Sequence, residues 1–213
     1  MTTVLLTGFE PFEGESINPS LEAVKALDGV AVEDYQIIAK PLPTVFGESI
    51  AKLHTYIEEI SPSIVICVGQ AGGREGIMVE RVAINVDDAR IPDNIGQQPI
   101  DRPIIENGPA AYFSTLPIKA AVENLRQAGI PSSVSQTAGT FVCNHVFYGL
   151  MNMIQNCCIK GGFVHIPYLP EQAVKHSGKA SMSLDLIVEG LLSIVKTTIV
   201  TEDDILVSGG ATH

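Results

Sequence analysis

The chain has 213 residues, 46% of them hydrophobic and 17% charged, with a formal net charge of −11. That length supports one substantial core, and the balance is that of a folded protein rather than a disordered one. The excess of 24 acidic residues over 13 Lys and Arg argues against a phosphate-binding surface for nucleic acid, which needs clustered cations.

Met1-Thr2-Thr3-Val4 runs straight into an apolar segment, without the basic and apolar regions of a secretory signal. No apolar run reaches the roughly 18 residues of a membrane span. The longest, Leu184 to Val200, is interrupted by Asp185, Glu189 and Lys196. We therefore expect a cytoplasmic protein without membrane contact, its four cysteines reduced.

In chain order, Thr3 to Thr7 reads as a buried strand ended by Gly8. Asn18-Pro19-Ser20 starts a helix with Leu21, Val24 and Leu27 inward. Val32 to Leu42 is a second strand region, closed by Pro41 and Pro43. Phe46, Ile50, Leu53, Ile57 and Ile60 repeat at spacings of 4, 3, 4 and 3, one apolar stripe of a helix that Ser61-Pro62 terminates. Ile64 to Val68 is a third buried strand. From Gly69 to Pro109 the chain is rich in Gly, Pro, Asp and Asn, and only Met78 to Asn85 has a strand pattern. So long an irregular stretch in a compact domain is usually functional. Pro117 to Ala128 is a helix between an N-terminal Pro and Gly129. Ser132 to Gln136 is a strand, Cys143 to Asn156 a helix and Gly162 to Tyr168 a strand. Leu184 to Lys196 is the last helix, with Leu184, Val188, Leu191 and Val195 inward. Strands alternating with helices imply one α/β domain over 1–213, a sheet with helices on both faces.

The chain lacks a GxxxxGK[ST] phosphate loop, an HExxH zinc motif and a GxSxG elbow. Gly69-Gln-Ala-Gly-Gly73 follows a strand but departs from GxGxxG. There is no CxxC pair, and the adjacent Cys157 and Cys158 suit neither a metal nor a disulfide. We expect no metal and no cofactor. Cys67, within Ser63 to Val68, reads as a small buried hydrophobe.

Thr137-Ala-Gly-Thr-Phe-Val-Cys-Asn-His145 carries more information. It places Cys143 in the first turn of a helix, where the dipole favours a thiolate. The same pattern also describes a buried structural cysteine. A thiol nucleophile needs a base, and the base an orienting group. Of the five histidines, His213 is terminal, His54 lies on the solvent side of a helix and His176 is in a polar loop. His145, two residues from Cys143, points to a different helix face. His165 sits in the apolar strand Phe163-Val-His-Ile-Pro167, where a satisfied core histidine is the ordinary case. Glu80, beside Arg81, reads equally as an ion-paired strand residue. Pattern alone does not select a triad.

Five blocks carry a further resemblance. They are Leu5-Leu-Thr-Gly-Phe-Glu-Pro-Phe12 with Asn18-Pro19; Gly69-Gln70 through Glu80-Arg-Val-Ala-Ile-Asn85; and Asp87-Asp-Ala-Arg-Ile-Pro-Asp93. Ser135-Gln-Thr-Ala-Gly-Thr-Phe-Val-Cys-Asn144 and His165-Ile-Pro-Tyr-Leu-Pro-Glu-Gln172 complete the set. In this order and spacing the chain resembles the type I pyroglutamyl peptidase (pyrrolidone-carboxylate peptidase) family over nearly its whole length. The resemblance implies a three-layer α/β/α sandwich around a mixed, mostly parallel sheet. It also implies a cysteine peptidase acting on peptides with N-terminal pyroglutamate, assembled as a homotetramer. By motif match it assigns the nucleophile to Cys143, the base to His165 and the acidic partner to Glu80. It places a pyroglutamyl pocket at Phe9, Phe12, Gln70 and Val142, and Arg90 near the catalytic centre. Met78 departs from the Ser or Thr usual in the family, which puts local packing or a hydrogen bond beside Glu80 in question. The competing readings are a phosphate-dependent transferase of similar architecture, such as a nucleoside phosphorylase, and a binding module that has lost activity.

Overall fold

The structure, a computed structural model, describes residues 2–211. Its first strand, β1 (Thr2–Phe9), explains the layers by itself. Side chains alternate across a strand, so Val4 and Leu6 enter one apolar core while Leu5 and Phe9 enter another. β1 lies parallel to β3 (Tyr35–Leu42) on one side and to β4 (Ile64–Gln70) on the other. β4 runs parallel to β9 (Lys160–Ile166), which meets β5 (Ile77–Glu80) antiparallel. β8 (Ser132–Ser135) closes one edge parallel to β5, and β2 (Ala31–Val32) the other, antiparallel to β3. The seven-stranded order is β2-β3-β1-β4-β9-β5-β8. The sheet is mixed and mostly parallel, as the resemblance implied.

Three helices cover the face of Val4: α1 (Pro19–Ala26), α3 (Ile118–Gln127) and α6 (Leu184–Val200). Two cover the face of Leu5: α2 (Glu48–Ile60) and α4 (Val142–Ile154). Strands buried on both faces are near-continuously apolar, which is why Ile64 to Val68 reads so plainly as a strand. No helix among the described residues is long and apolar enough to cross a membrane.

Several elements differ from the sequence reading. β1 does not stop at Gly8: a Cβ there would lie 2.4 Å from the Ser20 carbonyl oxygen, so the glycine lets α1 approach a strand that continues. Asn18 caps that helix as expected, its side chain accepting from the Ser20 N–H. Phe46 lies outside α2, which begins after Gly47 at φ 76°. The segment Met78 to Asn85 is two strands. β5 ends at Glu80, and β6 (Val82–Ile84) pairs antiparallel with β7 (Ala111–Phe113) in a separate sheet. Arg81 is the switch between them: its N–H donates to Ser135 O, and its carbonyl accepts from Ser114 N. Short β7 and the one-turn α5 (Pro170–Ala173) are absent from the sequence reading. In α6 the wholly buried face is Ile187, Leu191, Ile194 and Val195, while Leu184 and Val188 are only half-buried.

Candidate active site

The ends of β4, β9 and β5 meet the start of α4. Register fixes what faces what. His165 of β9 lies opposite Gly69 of β4 and opposite Met78 of β5, and residues paired across strands project to the same face. Glu80, two positions beyond Met78, shares that face. Its Oε1 is 2.7 Å from His165 Nδ1. Glu80 is fully buried and His165 is 4% exposed, so the pair is screened little by water.

Cys143 approaches from α4, in the helix layer that covers this same face. α4 begins after Phe141, whose side chain makes no capping bond, and the N–H groups of a first helical turn have no partner within the helix. Asn144 holds that turn in place. Its Oδ1 accepts from Ile84 N, and its Nδ2 donates to the carbonyls of Ile84 and Val86. Cys143 Sγ rests directly on β4: a Cβ at Gly69 would sit 2.8 Å from the sulfur and 2.9 Å from the Phe163 ring. Cys143 and His165 line the same cleft, and Cys143 is the largest influence raising the imidazole pKa. Burial alone would lower the His165 pKa, but Cys143, then the hydrogen bond and charge of Glu80, push it up to about 9. The Phe163 ring packs against the imidazole, centroids 4.9 Å apart.

A cleft of about 250 Å³ opens beside this cluster, and Phe9, Phe12, Gln70 and Val142 all line it together with Cys143 and His165. Arg90 is not brought there. It is exposed on the loop after β6 and does not line the cleft. Nearby residues of that loop do reach the rim, where Asp88 N donates to Thr140 O and Thr140 Oγ1 donates to Asp88 O. The sequence reading missed Asn18, Arg74, Thr140 and Phe141, which also line the cleft, and buried Gln172, whose Nε2 donates to Gln70 Oε1 at 3.0 Å. Gln172 stands inside the quoted His165 to Gln172 block, so a signal was present. Gly69 stands in a quoted block as well, and its missing side chain makes room for the sulfur.

The remaining candidates fall elsewhere. His145 is buried away from Cys143, its Nδ1 2.8 Å from Asp87 Oδ2 and its Nε2 accepting from Gly47 N at 2.8 Å. His54 is exposed and pairs with Glu58 one turn on, while His176 meets Glu15. His213 lies outside the described residues. Cys67 is wholly buried, and burial pushes its thiol up to about 12. Cys157 and Cys158 are exposed beyond the far end of α4. At Met78, the thioether sulfur accepts a hydrogen bond from Ser133 Oγ at 2.8 Å.

The sequence matches the family model described as pyroglutamyl peptidase over residues 2–201. It is 60% identical over 214 residues to a pyrrolidone-carboxylate peptidase of Escherichia fergusonii, covering 100% of both chains. The same identity holds over 216 residues for one of Cupriavidus pinatubonensis, again covering 100% of both. The fold superposes on the crystal structure of Bacillus amyloliquefaciens pyroglutamyl peptidase I with a TM-score of 0.93 at 53% identity, covering 96% of this chain and 100% of that one. On a mutant pyrrolidone carboxyl peptidase of Pyrococcus furiosus the TM-score is 0.89 at 42% identity, covering 93% and 98%.

Proposed function

The chain belongs to the pyroglutamyl peptidase family of cysteine peptidases, and from that premise we propose that it removes N-terminal pyroglutamate from peptides through Cys143, His165 and Glu80. The observation that carries the proposal is the convergence of three side chains: Glu80 Oε1 lies 2.7 Å from His165 Nδ1, and Cys143 and His165 line one cleft.

The reaction is acyl transfer. The Cys143 sulfur attacks the carbonyl carbon that joins pyroglutamate to the next residue, and the thiol proton resides on His165. Collapse of the tetrahedral adduct breaks the C–N bond, and His165 returns the proton to the leaving amine. A thioester remains. Water then attacks it, gives a proton to His165 and releases pyroglutamate, after which the thiol is restored. Glu80 keeps the imidazole in one orientation and stabilises the imidazolium. The raised pKa of His165, about 9, supports an imidazolium as the resting partner of the sulfur. The oxyanion is stabilised by backbone N–H groups of the uncapped first turn of α4, with the helix dipole behind them. Arg90, expected near this position, is exposed outside the cleft and takes no part in this reading.

Pyroglutamate is a neutral lactam, and the cleft suits one. Phe9, Phe12 and Val142 supply apolar walls, and Gln70, held by Gln172, supplies a polar contact for the ring amide. A site that bonds the ring carbonyl rejects prolyl substrates, with a penalty that reaches about 10,000-fold where buried polar groups lose their partners. The proposal extends to a cytoplasmic homotetramer, which light scattering on the purified protein tests.

The deciding assay is hydrolysis of a pyroglutamyl fluorogenic amide, with and without phosphate, before and after iodoacetamide. Phosphate-independent cleavage that alkylation or Cys143→Ser abolishes supports the peptidase. Cleavage that needs phosphate points to a transferase, and none by the reduced, folded protein points to a binding module.

A further inference from the structure

The cleft beside Cys143 contains a charge that pyroglutamate does not explain. Arg74, in the turn that follows β4, lines it. Its one hydrogen bond runs from Nη2 to Thr137 O on the opposite wall, at 3.4 Å. No carboxylate among the described residues is within ion-pair distance of it. Lys179 lies over the same turn, with Nζ 3.5 Å from where a Cβ on Gly73 would stand, and it too has no ion-pair partner among those residues. The neighbouring acid, Glu75, is exposed. Arg74 is the only Lys or Arg among the described residues that line the cleft. A guanidinium presents five donors in a fork that matches a carboxylate, and here most of them are unused.

The neutral lactam ring carries no charge to pair with a cation. The other half of the substrate does. The leaving amine belongs to the next residue, and in a dipeptide that residue carries the free C-terminal carboxylate, within one residue length (~3.8 Å between Cα atoms) of the scissile bond. We infer that Arg74, backed by Lys179, is a specificity-determining residue that binds a carboxylate on the residue following pyroglutamate. The favoured substrates are then pyroglutamyl peptides whose residue after the bond cleaved carries a carboxylate. This rests on the peptidase reading of the same site. A carboxylate in this place comes from the chain's own C-terminus or from an acidic side chain, and the chemistry that recognises it is the same.

Three substrates separate the sources: pyroglutamyl-alanine, pyroglutamyl-alanine amide and pyroglutamyl-glutamic acid α-amide, whose side-chain carboxylate is free and whose C-terminus is amidated. Each is assayed for kcat and KM with the wild type, Arg74→Gln and Arg74→Lys. The wild type should favour at least one carboxylate substrate over the neutral amide by roughly tenfold, the scale of one charge-assisted hydrogen bond. Arg74→Gln should bring that ratio close to one, mainly through KM, and Arg74→Lys should keep part of it. The carboxylate substrate with the larger ratio identifies the source. Equal rates on all three substrates in the wild type overturn the inference. So does a ratio that survives Arg74→Gln, because an arginine that only braces Thr137 lowers all three rates alike. If the wild type cleaves not even the neutral amide, the peptidase reading itself fails, an outcome distinct from a lost ratio.

Discussion

Two imidazole–carboxylate pairs flank the first turn of α4, and by their bonds alone they are hard to tell apart. His165 and Glu80 are 2.7 Å apart, His145 and Asp87 2.8 Å, and all four side chains are buried. In each pair the second carboxylate oxygen is buried without a partner, Glu80 Oε2 in one and Asp87 Oδ1 in the other. What separates them is the far nitrogen of the ring. His145 Nε2 accepts the Gly47 N–H, so both of its nitrogens are committed and the ring is a strut between α2, α4 and the loop after β6. His165 makes no such backbone bond and presents its remaining edge to Cys143. A buried histidine beside a carboxylate is therefore not yet a base; it becomes one when its other nitrogen is left for the nucleophile.

The largest test of that distinction removes each ring in turn. His165→Ala should lower kcat on a pyroglutamyl amide by roughly 1,000-fold or more while the protein stays folded, because a positioned base and acid is lost. His145→Ala should do the reverse. It strands the buried Asp87 carboxylate and the Gly47 N–H, a loss of about 3–5 kcal/mol of stability for a broken buried pair, yet below its lowered Tm the enzyme should keep most of its kcat. Thermal unfolding and steady-state kinetics on both variants decide the matter. If His145→Ala is folded and inactive while His165→Ala turns over, the base has been assigned to the wrong pair.

That contrast also marks how far the sequence could be read. His145 was set aside because two residues along a helix point a side chain away from Cys143, and the structure agrees. His165 and Glu80 looked like ordinary strand residues. Their roles depend on β9 and β5 lying side by side, a pairing between segments 85 residues apart that no local period encodes. Only the ordered motif blocks carried that information. Strands such as Ile64 to Val68 were legible because burial on both faces leaves an unbroken apolar run. The break at Arg81 was not, because it depends on β8 ending at Ser135 and on β7 being available to pair with β6. Gly69 and Gln172 were quoted as motif letters, but their use, making room for a sulfur and holding Gln70, exists only in three dimensions.

A milder change tests the pair from the carboxylate side. In the wild type the His165 pKa is raised from the ordinary 6.5 to about 9, by Cys143 and then Glu80 acting against burial. A raised histidine pKa stabilises the fold fully below the unfolded-state value and loses that contribution as pH climbs through the folded one. Stability to urea should therefore decline between about pH 6.5 and about pH 9, and kcat/KM should fall on the same basic limb as the imidazolium loses its proton. Glu80→Gln keeps the shape and removes the charge. It should lower kcat by roughly 100- to 10,000-fold and move the basic limb to lower pH. A limb that stays in place in Glu80→Gln would mean that the carboxylate does not hold the proton on His165.

The smallest expected effect lies one register position away. Met78 pairs with His165 across β5 and β9 and with Ser133 across β5 and β8, so it is the side chain best placed to disturb the base without touching Cys143. Its sulfur accepts the Ser133 hydroxyl at 2.8 Å, where the family resemblance leads one to expect Ser or Thr. A thioether is a weak acceptor, so Met78→Thr gives Ser133 a better partner but removes apolar volume from a half-buried position. The two changes oppose one another and should leave stability within about 1 kcal/mol of the wild type. Neither residue is charged, so the field at His165 is unaltered, and both kcat/KM and its basic limb should stay where they are, the rate within about threefold. A displaced limb in Met78→Thr would show instead that packing on the far side of the imidazole sets its proton affinity, and the two pairs would then differ in their surroundings as well as in their free nitrogen.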